Sequence, residues 1–152
     1  LIEAVQLARK GGVDVQLEVN GAKQPEVEVS PGVLFNGTYE SHQLTERMAR
    51  VDVVAMASSW YENSPMVIQE AFLHGRPVMA PRLGGMAEKV RDGQTGVLVD
   101  PSSAQAIAEA MQRLTHQPEL LEQLQQGVNR LIRRRADSEQ GHAQLYRRLM
   151  NC

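Results

Sequence analysis

In "SSWYENSPMVIQEAF", residues 58–72, two carboxylates, Glu62 and Glu70, stand on either side of Pro65. Ser64 is a good helix cap and Pro65 a good first helical residue, because proline's missing N–H is not needed there. A helix starting near Pro65 aims the unsatisfied backbone N–H groups of Met66 and Val67, with the positive end of the helix dipole, at whatever lies in front of them. A phosphate fits such a place. Glu70 then lies about one and a half turns into the helix, with Val67, Ile68 and Ala71 on the core-facing stripe and Glu62 on the preceding loop. Both carboxylates can reach one ligand lying across the helix start, and a carboxylate accepts hydrogen bonds well from paired hydroxyls. Spacing alone is weak support, since Glu18 and Glu26 repeat the same interval. The surrounding elements must carry the signal.

Those elements alternate. Leu1, Ile2, Val5 and Ala8 mark a helix that stops at Gly11 and Gly12. In "VDVQLEV", Val13, Val15, Leu17 and Val19 alternate with polar residues, as in a strand with one covered face. "GAKQPEVEVSPG" reads as a loop or a short extra strand, "VLFNGTY" as a second strand, and Ser41 to Ala49 as a helix with Leu44 and Met48 inward. "VDVVAMA" is apolar almost throughout, which suits a parallel strand covered on both faces. After the acidic stretch, "PVMAP" and "TGVLVD" are two further strands separated by a short helix in "RLGGMAEKVRDGQ". Ser102 or Ser103 can cap a helix carrying Ala104, Ile107, Ala108, Met111 and Leu114. Pro118 begins another, with Leu120, Leu121, Leu124, Val128 and Leu131, and a last helix is expected from Ser138 to Met150 with Leu145 and Leu149. This order predicts an α/β fold, a Rossmann-like doubly wound parallel sheet in one domain spanning residues 1–152. Ligands of such folds sit outside the carboxyl ends of the strands, which points at the loops after "VLFNG", "VVAMAS" and "VMAP".

Composition narrows the partners. With 152 residues, 42% of them apolar, the chain can bury one real core. Sixteen Lys plus Arg face 18 Asp plus Glu, a formal charge of −2, so no overall basic surface argues for a nucleic acid. No apolar run approaches a membrane span, and a cytoplasmic location is expected. Cys152 is the only cysteine, and the histidines at 42, 74, 116 and 142 show no ligand spacing, so no metal site is expected. His74 precedes Gly75 at a helix end and reads as a cap, Trp60 and Tyr61 read as packing, and "RLIRRRAD" reads as a solvated helix face. Gly84 and Gly85 follow a strand, where small residues let backbone approach a ligand or simply turn the chain.

The stretch "SSWYENSPMVIQEAFLHGRPVMAPRLGGMAEKVRDGQTGVLVDP" resembles the nucleotide-sugar-binding, C-terminal half of retaining GT-B glycosyltransferases of the family 4, group 1 type. Its marks, in order, are an E, seven residues and an E followed by A, then "GRPV", "GGMAE" and "DGQTGVLVDP". The resemblance implies that Glu62, the catalytic candidate, meets the donor sugar's hydroxyls and that Glu70 meets the ribose. Asn63, Ser64 and the amides of Met66 and Val67 would hold the sugar or diphosphate, Gly84 and Gly85 would line the site, and Phe35 to Tyr39 would line the base pocket. "ENSPMVIQE" replaces the family's frequent "EGFGLVxLE", and Pro65 removes one amide donor.

The resemblance further implies a nucleotide-diphosphate sugar as donor substrate, no metal or other cofactor, and an acceptor that is a sugar or a lipid-linked group. It implies as well an N-terminal acceptor domain outside this sequence, possible peripheral membrane contact of the parent enzyme, and a first strand with its Arg- and Lys-bearing loop ahead of Leu1. In the strand order 3-2-1-4-5-6 that first strand is central, so a gap is expected between "VDVQLEV" and "VDVVAMA", which "PEVEV" or another chain would fill. The isolated chain is therefore expected to bind weakly and not to turn over. The rival readings are a non-catalytic nucleotide-sugar-binding module and another GT-B enzyme such as a nucleotide-sugar epimerase.

Overall fold

A computed structural model describes residues 1–21, 30–56, 58, 60–63 and 65–150, with 139–150 as helical backbone only. In chain order the elements are α1 (Ile2–Lys10), β1 (Leu17–Val19), β2 (Val33–Phe35), α2 (Leu44–Ala49, preceded by a 3-10 turn at Ser41–Gln43), β3 (Val54–Ala55) and α3 (Met66–Leu73). They continue with β4 (Val78–Pro81), α4 (Gly84–Lys89), β5 (Gly96–Val99), α5 (Ala104–His116) and α6 (Pro118–Met150).

Every described ladder is parallel, and the strands fall into two sheets, β1–β2 and β3–β4–β5. Among the described residues no ladder joins β1 to β3, so the sheet is interrupted at the place where the order 3-2-1-4-5-6 puts its first strand. The segment "PEVEV" lies outside the described residues.

The gap explains why two strands are shorter than their apolar runs. Among the described residues of "VDVVAMA", Val54 and Ala55 pair, with Val78 and Met79 of β4. Val53 and Ala55 turn towards one core and Val54 and Met56 towards the other, yet all four stay half-buried. Among the described residues β3 has one neighbour, and it falls short of the full two-faced burial that its composition allows. "VDVQLEV" pairs only over Leu17–Val19, while Val13 is buried beneath α1 without joining the ladder.

β4 has neighbours on both sides, and all four of its residues are buried. Met79 points into a core shared with Val97, Val99, α1 and α5, whereas Val78 and Ala80 point into a second core formed with α3, α4 and the middle of α6. α1 lays Ala4, Val5 and Ala8 against α5 and also meets Val33 of β2, so this helix pair ties the two sheets together. Ser103 caps α5, its Oγ accepting the Ala106 N–H at 3.0 Å.

The two helices expected after Pro118 are one 33-residue helix. Between Ile132 and Gln140 there is neither glycine nor proline to end the turn pattern, so nothing breaks it at Ser138. α6 changes cores as it runs, with Leu124 in the first and Val128 in the second. Gly127 lets it cross the edge, because a Cβ there would lie 1.7 Å from the Gln94 carbonyl oxygen. Arg133, Arg134 and Arg135 are exposed, the solvated face expected of "RLIRRRAD". Among the described residues no helix is long and apolar enough to cross a membrane.

Candidate functional site

The loop from β3 to α3 and the turn from β4 to α4 meet at the carboxyl ends of the central strands. Glu62 lies on that loop, half-buried, and its Oε1 accepts a short hydrogen bond from the Ser58 hydroxyl. Its own carbonyl oxygen accepts the Gly85 N–H at 2.9 Å. Gly85 has to be glycine, since a Cβ would stand 2.4 Å from the Asn63 oxygen and 2.6 Å from that of Glu62. Gly84 has φ +50, and a Cβ there would press on the Tyr61 ring at 3.0 Å. The close approach that the two glycines permit is thus made by the chain's own loop, residues 61–63, which is clamped on α4. Asn63 is exposed beside it.

α3 begins one residue later than expected. Pro65 is the cap, with φ −62 and ψ 116, and Met66 is the first helical residue. The extended ψ keeps the proline outside the helix while its carbonyl still accepts from Ile68 at 3.3 Å. Met66 and Val67 therefore hold the first two positions, whose N–H groups have no intrahelical acceptor. Ser64, expected as cap and ligand, lies outside the described residues. Ile68 and Ala71 are fully buried, Val67 is half-buried, and Phe72 extends the inward stripe.

Glu70, half-buried, sits on the second turn of α3. Among the described residues no ion pair holds its carboxylate. His74 acts as the cap expected of it, its Nδ1 lying 2.7 Å from the Glu70 carbonyl oxygen, and its Nε2 lies 3.1 Å from the Thr45 hydroxyl. The far end of α3 is thereby tied to α2.

The turn bearing the glycines is braced from below. Arg82 donates to Asp92 Oδ2 at 2.7 Å, and the Leu98 N–H donates to Oδ1 at 3.0 Å. Partial burial works against the charge on Asp92, but the Leu98 amide and the Arg82 guanidinium outweigh it and hold the carboxyl below its ordinary range.

Three features depart from the sequence reading. Trp60 and Tyr61, read as packing, are 71% and 78% exposed, with only the edge of the Tyr61 ring near Gly84. Phe35, which the sequence left open between a base pocket and the core, leans on the first core, while Tyr39 lies under the Arg47 guanidinium at 5.0 Å from the ring centre. A polar cavity of about 220 Å³, lined by Glu18, Asn36, Gln43, Glu46, Arg47 and Arg50, opens between β1–β2 and α2. Asn36 Nδ2 donates to Glu18 Oε2 at 2.8 Å, and Arg47 donates to Asn20 Oδ1. The polar members of the "LEVN" alternation were the signal for this cavity. Ser58 had no such signal, since four residues along a loop imply no fixed direction.

The model of the family described as glycosyl transferases group 1 matches residues 1–117. The chain belongs to the group 1 glycosyltransferases. It is 30% identical over 132 residues to an alpha-D-kanosaminyltransferase of Streptomyces kanamyceticus, covering 81% of this chain and 34% of that protein. It is 36% identical over 97 residues to a D-inositol 3-phosphate glycosyltransferase of Rhodococcus opacus, covering 61% of this chain and 22% of that one. The chain thus spans about a third or less of these relatives' length. Among solved structures it is similar to a sucrose-phosphate synthase of Thermosynechococcus elongatus (27% identity, TM-score 0.74), over 98% of this chain and 42% of that one. It is also similar to Anabaena HepE in complex with UDP and glucose (28% identity, TM-score 0.62), over 67% of this chain and 27% of that one.

This glycosyltransferase chain therefore has the expected fold, and the structure sets Glu62 and Asn63 against Gly84 and Gly85, with Met66 and Val67 opening α3 and Glu70 on its second turn.

Proposed function

We propose that this chain is the donor-binding half of a retaining, metal-independent glycosyltransferase that moves a sugar from a nucleotide-diphosphate sugar to a sugar or lipid-linked acceptor. The observation that carries the reading is the loop clamped at Gly85, which holds Glu62 half-buried ahead of the α3 N-terminus while Glu70 stands half-buried on the next turn. In this reading Glu62 accepts hydrogen bonds from the donor sugar and Glu70 accepts from the ribose diol. The amides of Met66 and Val67 face the diphosphate end, where a helix N-terminus contributes on the order of 0.3–1 kcal/mol to an anion. That is too little to hold a diphosphate leaving group alone, and transfers of this kind depend on electrostatic stabilisation of the departing charge. Arg82 is engaged with Asp92, so the cations for the diphosphate are assigned to the part of the relatives that this chain does not cover. The acceptor domain is assigned there as well. The HepE structure with UDP and glucose supports the donor class.

The reading is tested in the enzyme that carries this chain, by following the anomeric configuration of the first product by NMR and repeating the assay with Glu62→Gln. A product with the donor's own configuration and a fall in kcat of about a hundredfold or more are expected, the scale of one lost transition-state hydrogen bond. An inverted product, or a Glu62→Gln enzyme with undiminished kcat, would overturn it.

A further inference from the structure

The stretch of α6 from Gln123 to Ala136 holds Arg130, Arg133, Arg134 and Arg135 and no Asp or Glu. All four arginines are exposed, in a chain whose formal charge is −2. Arg130, Arg133 and Arg134 stand three and four positions apart, so they share one helix face and repel one another. A solvated helix face ordinarily interleaves the two signs of charge. The chain sets opposite charges together elsewhere, where Arg9, Arg50 and Arg82 lie against Asp14, Glu18 and Asp92. Among the described residues no carboxylate pairs with the α6 arginines. Positions 147 and 148, again arginine, come round to the line of Arg133 and Arg134 about four turns later.

An apolar residue borders this face. Leu73, the last residue of α3, is 71% exposed. It lines a groove of about 470 Å³ with His74, Gly75, Asn129, Ile132 and Arg133, so the exposed leucine and the arginine row open onto the same surface. We propose that this side of α6, together with Leu73, docks on an anionic lipid surface, with the guanidiniums on headgroup phosphates and Leu73 at the boundary with the acyl chains. The occupant follows from the charge of the patch. A guanidinium is weakly hydrated and meets phosphate oxygens two at a time. A row of like positive charges beside an exposed leucine is complementary to a layer of anions spread over an apolar interior. Leu73 and Met66 stand at opposite ends of α3, about 10 Å apart along its axis, so docking leaves the start of that helix open. The inference stands apart from the donor reading made at that other end.

The test is co-sedimentation of the enzyme that carries this chain with vesicles of phosphatidylcholine alone and of phosphatidylcholine mixed with phosphatidylglycerol, at low and at raised salt. Binding to the mixed vesicles alone is expected, weakening as salt rises. Arg130→Gln, Arg133→Gln and Arg134→Gln should each weaken it about fivefold, and the triple variant about a hundredfold, whereas the corresponding lysine variants keep it. Leu73→Ser should weaken it about tenfold at either salt concentration, since an apolar contact is not screened. Thermal melts of these variants should match the wild type, because the side chains are exposed. Equal binding to both kinds of vesicle, or no binding to the mixed ones, would overturn the proposal. Binding that survives the triple glutamine variant would overturn it too, by placing the contact elsewhere in the enzyme. Retention on double-stranded DNA at a salt concentration that releases the vesicles would assign the arginine row to a nucleic acid instead.

Discussion

The two sheets share one chain and one parallel pattern but are held in different ways. β4 sits between two neighbours, with all four residues buried and a helix-covered core on each side. β1 and β2 share a ladder of three residues, are laced together by Asn36 donating to Glu18 and Asn20, and are tied to α2 by Arg47 donating to Asn20. Leu34, whose neighbours in β2 face the core, is half exposed. The site-bearing loops therefore rise from the half whose central strand is covered on both faces, while β1 and β2 reach the first core alone, beside α1 and α5, and add polar ties. A carboxylate pair that must be held in place is best mounted on the former.

The comparison can be broken by mutation. Replacing Gly96 by Ala should have the largest effect, because a Cβ there would stand 1.9 Å from the Val78 carbonyl oxygen and force β4 and β5 apart. Loss of the cooperative thermal transition is expected, and a wild-type melt would show that the β4–β5 contact is not the centre of the fold. Ile68→Ala should come next, costing about 2–5 kcal/mol in urea unfolding as a fully buried side chain is cut away. Leu34→Ala in the other half should cost within about 0.5 kcal/mol. Equal costs at these two positions would erase the distinction between the halves.

Smaller effects sharpen it. Glu18→Gln removes the carboxylate that Arg50 approaches at 3.7 Å and is expected to lower stability by about 0.5–1.5 kcal/mol, with amide exchange rising in β1 and β2 but not in β4. Asp92 should shape the acid limb of stability. Its folded carboxyl is held below its ordinary value, so its contribution is present above the unfolded pKa and is lost as pH falls through the folded one. Asp92→Asn should flatten that limb in melts taken from neutral to acidic pH. The shift should be small, because the Asp92 side chain is 42% exposed and the bridge is screened by solvent.

Much of this was readable from residue order. The apolar runs located β2, β4 and β5, the pair Ser102 and Ser103 marked the start of α5, where Ser103 is the cap, and the glutamates with the "GRPV" and "GGMAE" marks named the candidate site. The separation of the two described sheets was implied by the family resemblance, with its first strand ahead of Leu1, whereas composition makes "VDVVAMA" look fully covered. What stayed hidden depended on contacts between distant segments. Gly85 makes room for Glu62, and Gly127 makes room for Gln94, and neither partner is visible in a local pattern. The outward turn of Trp60 and Tyr61 is of the same kind, since an aromatic pair beside an apolar strand reads as core until the backbone under it is placed. α6 runs on without a break because the polar stretch Arg133 to Ser138, which looks like a linker in the apolar pattern, holds no glycine or proline to end a helix.

The most direct measurement is calorimetric titration of the chain with UDP, GDP, ADP and their common sugar derivatives, repeated with Glu70→Ala. The account predicts weak binding of one nucleotide, reduced by about ten- to a hundredfold in the variant, the scale of hydrogen bonds to a charged group. A nucleotide that binds wild type and Glu70→Ala equally would contradict the placement of the donor at the start of α3.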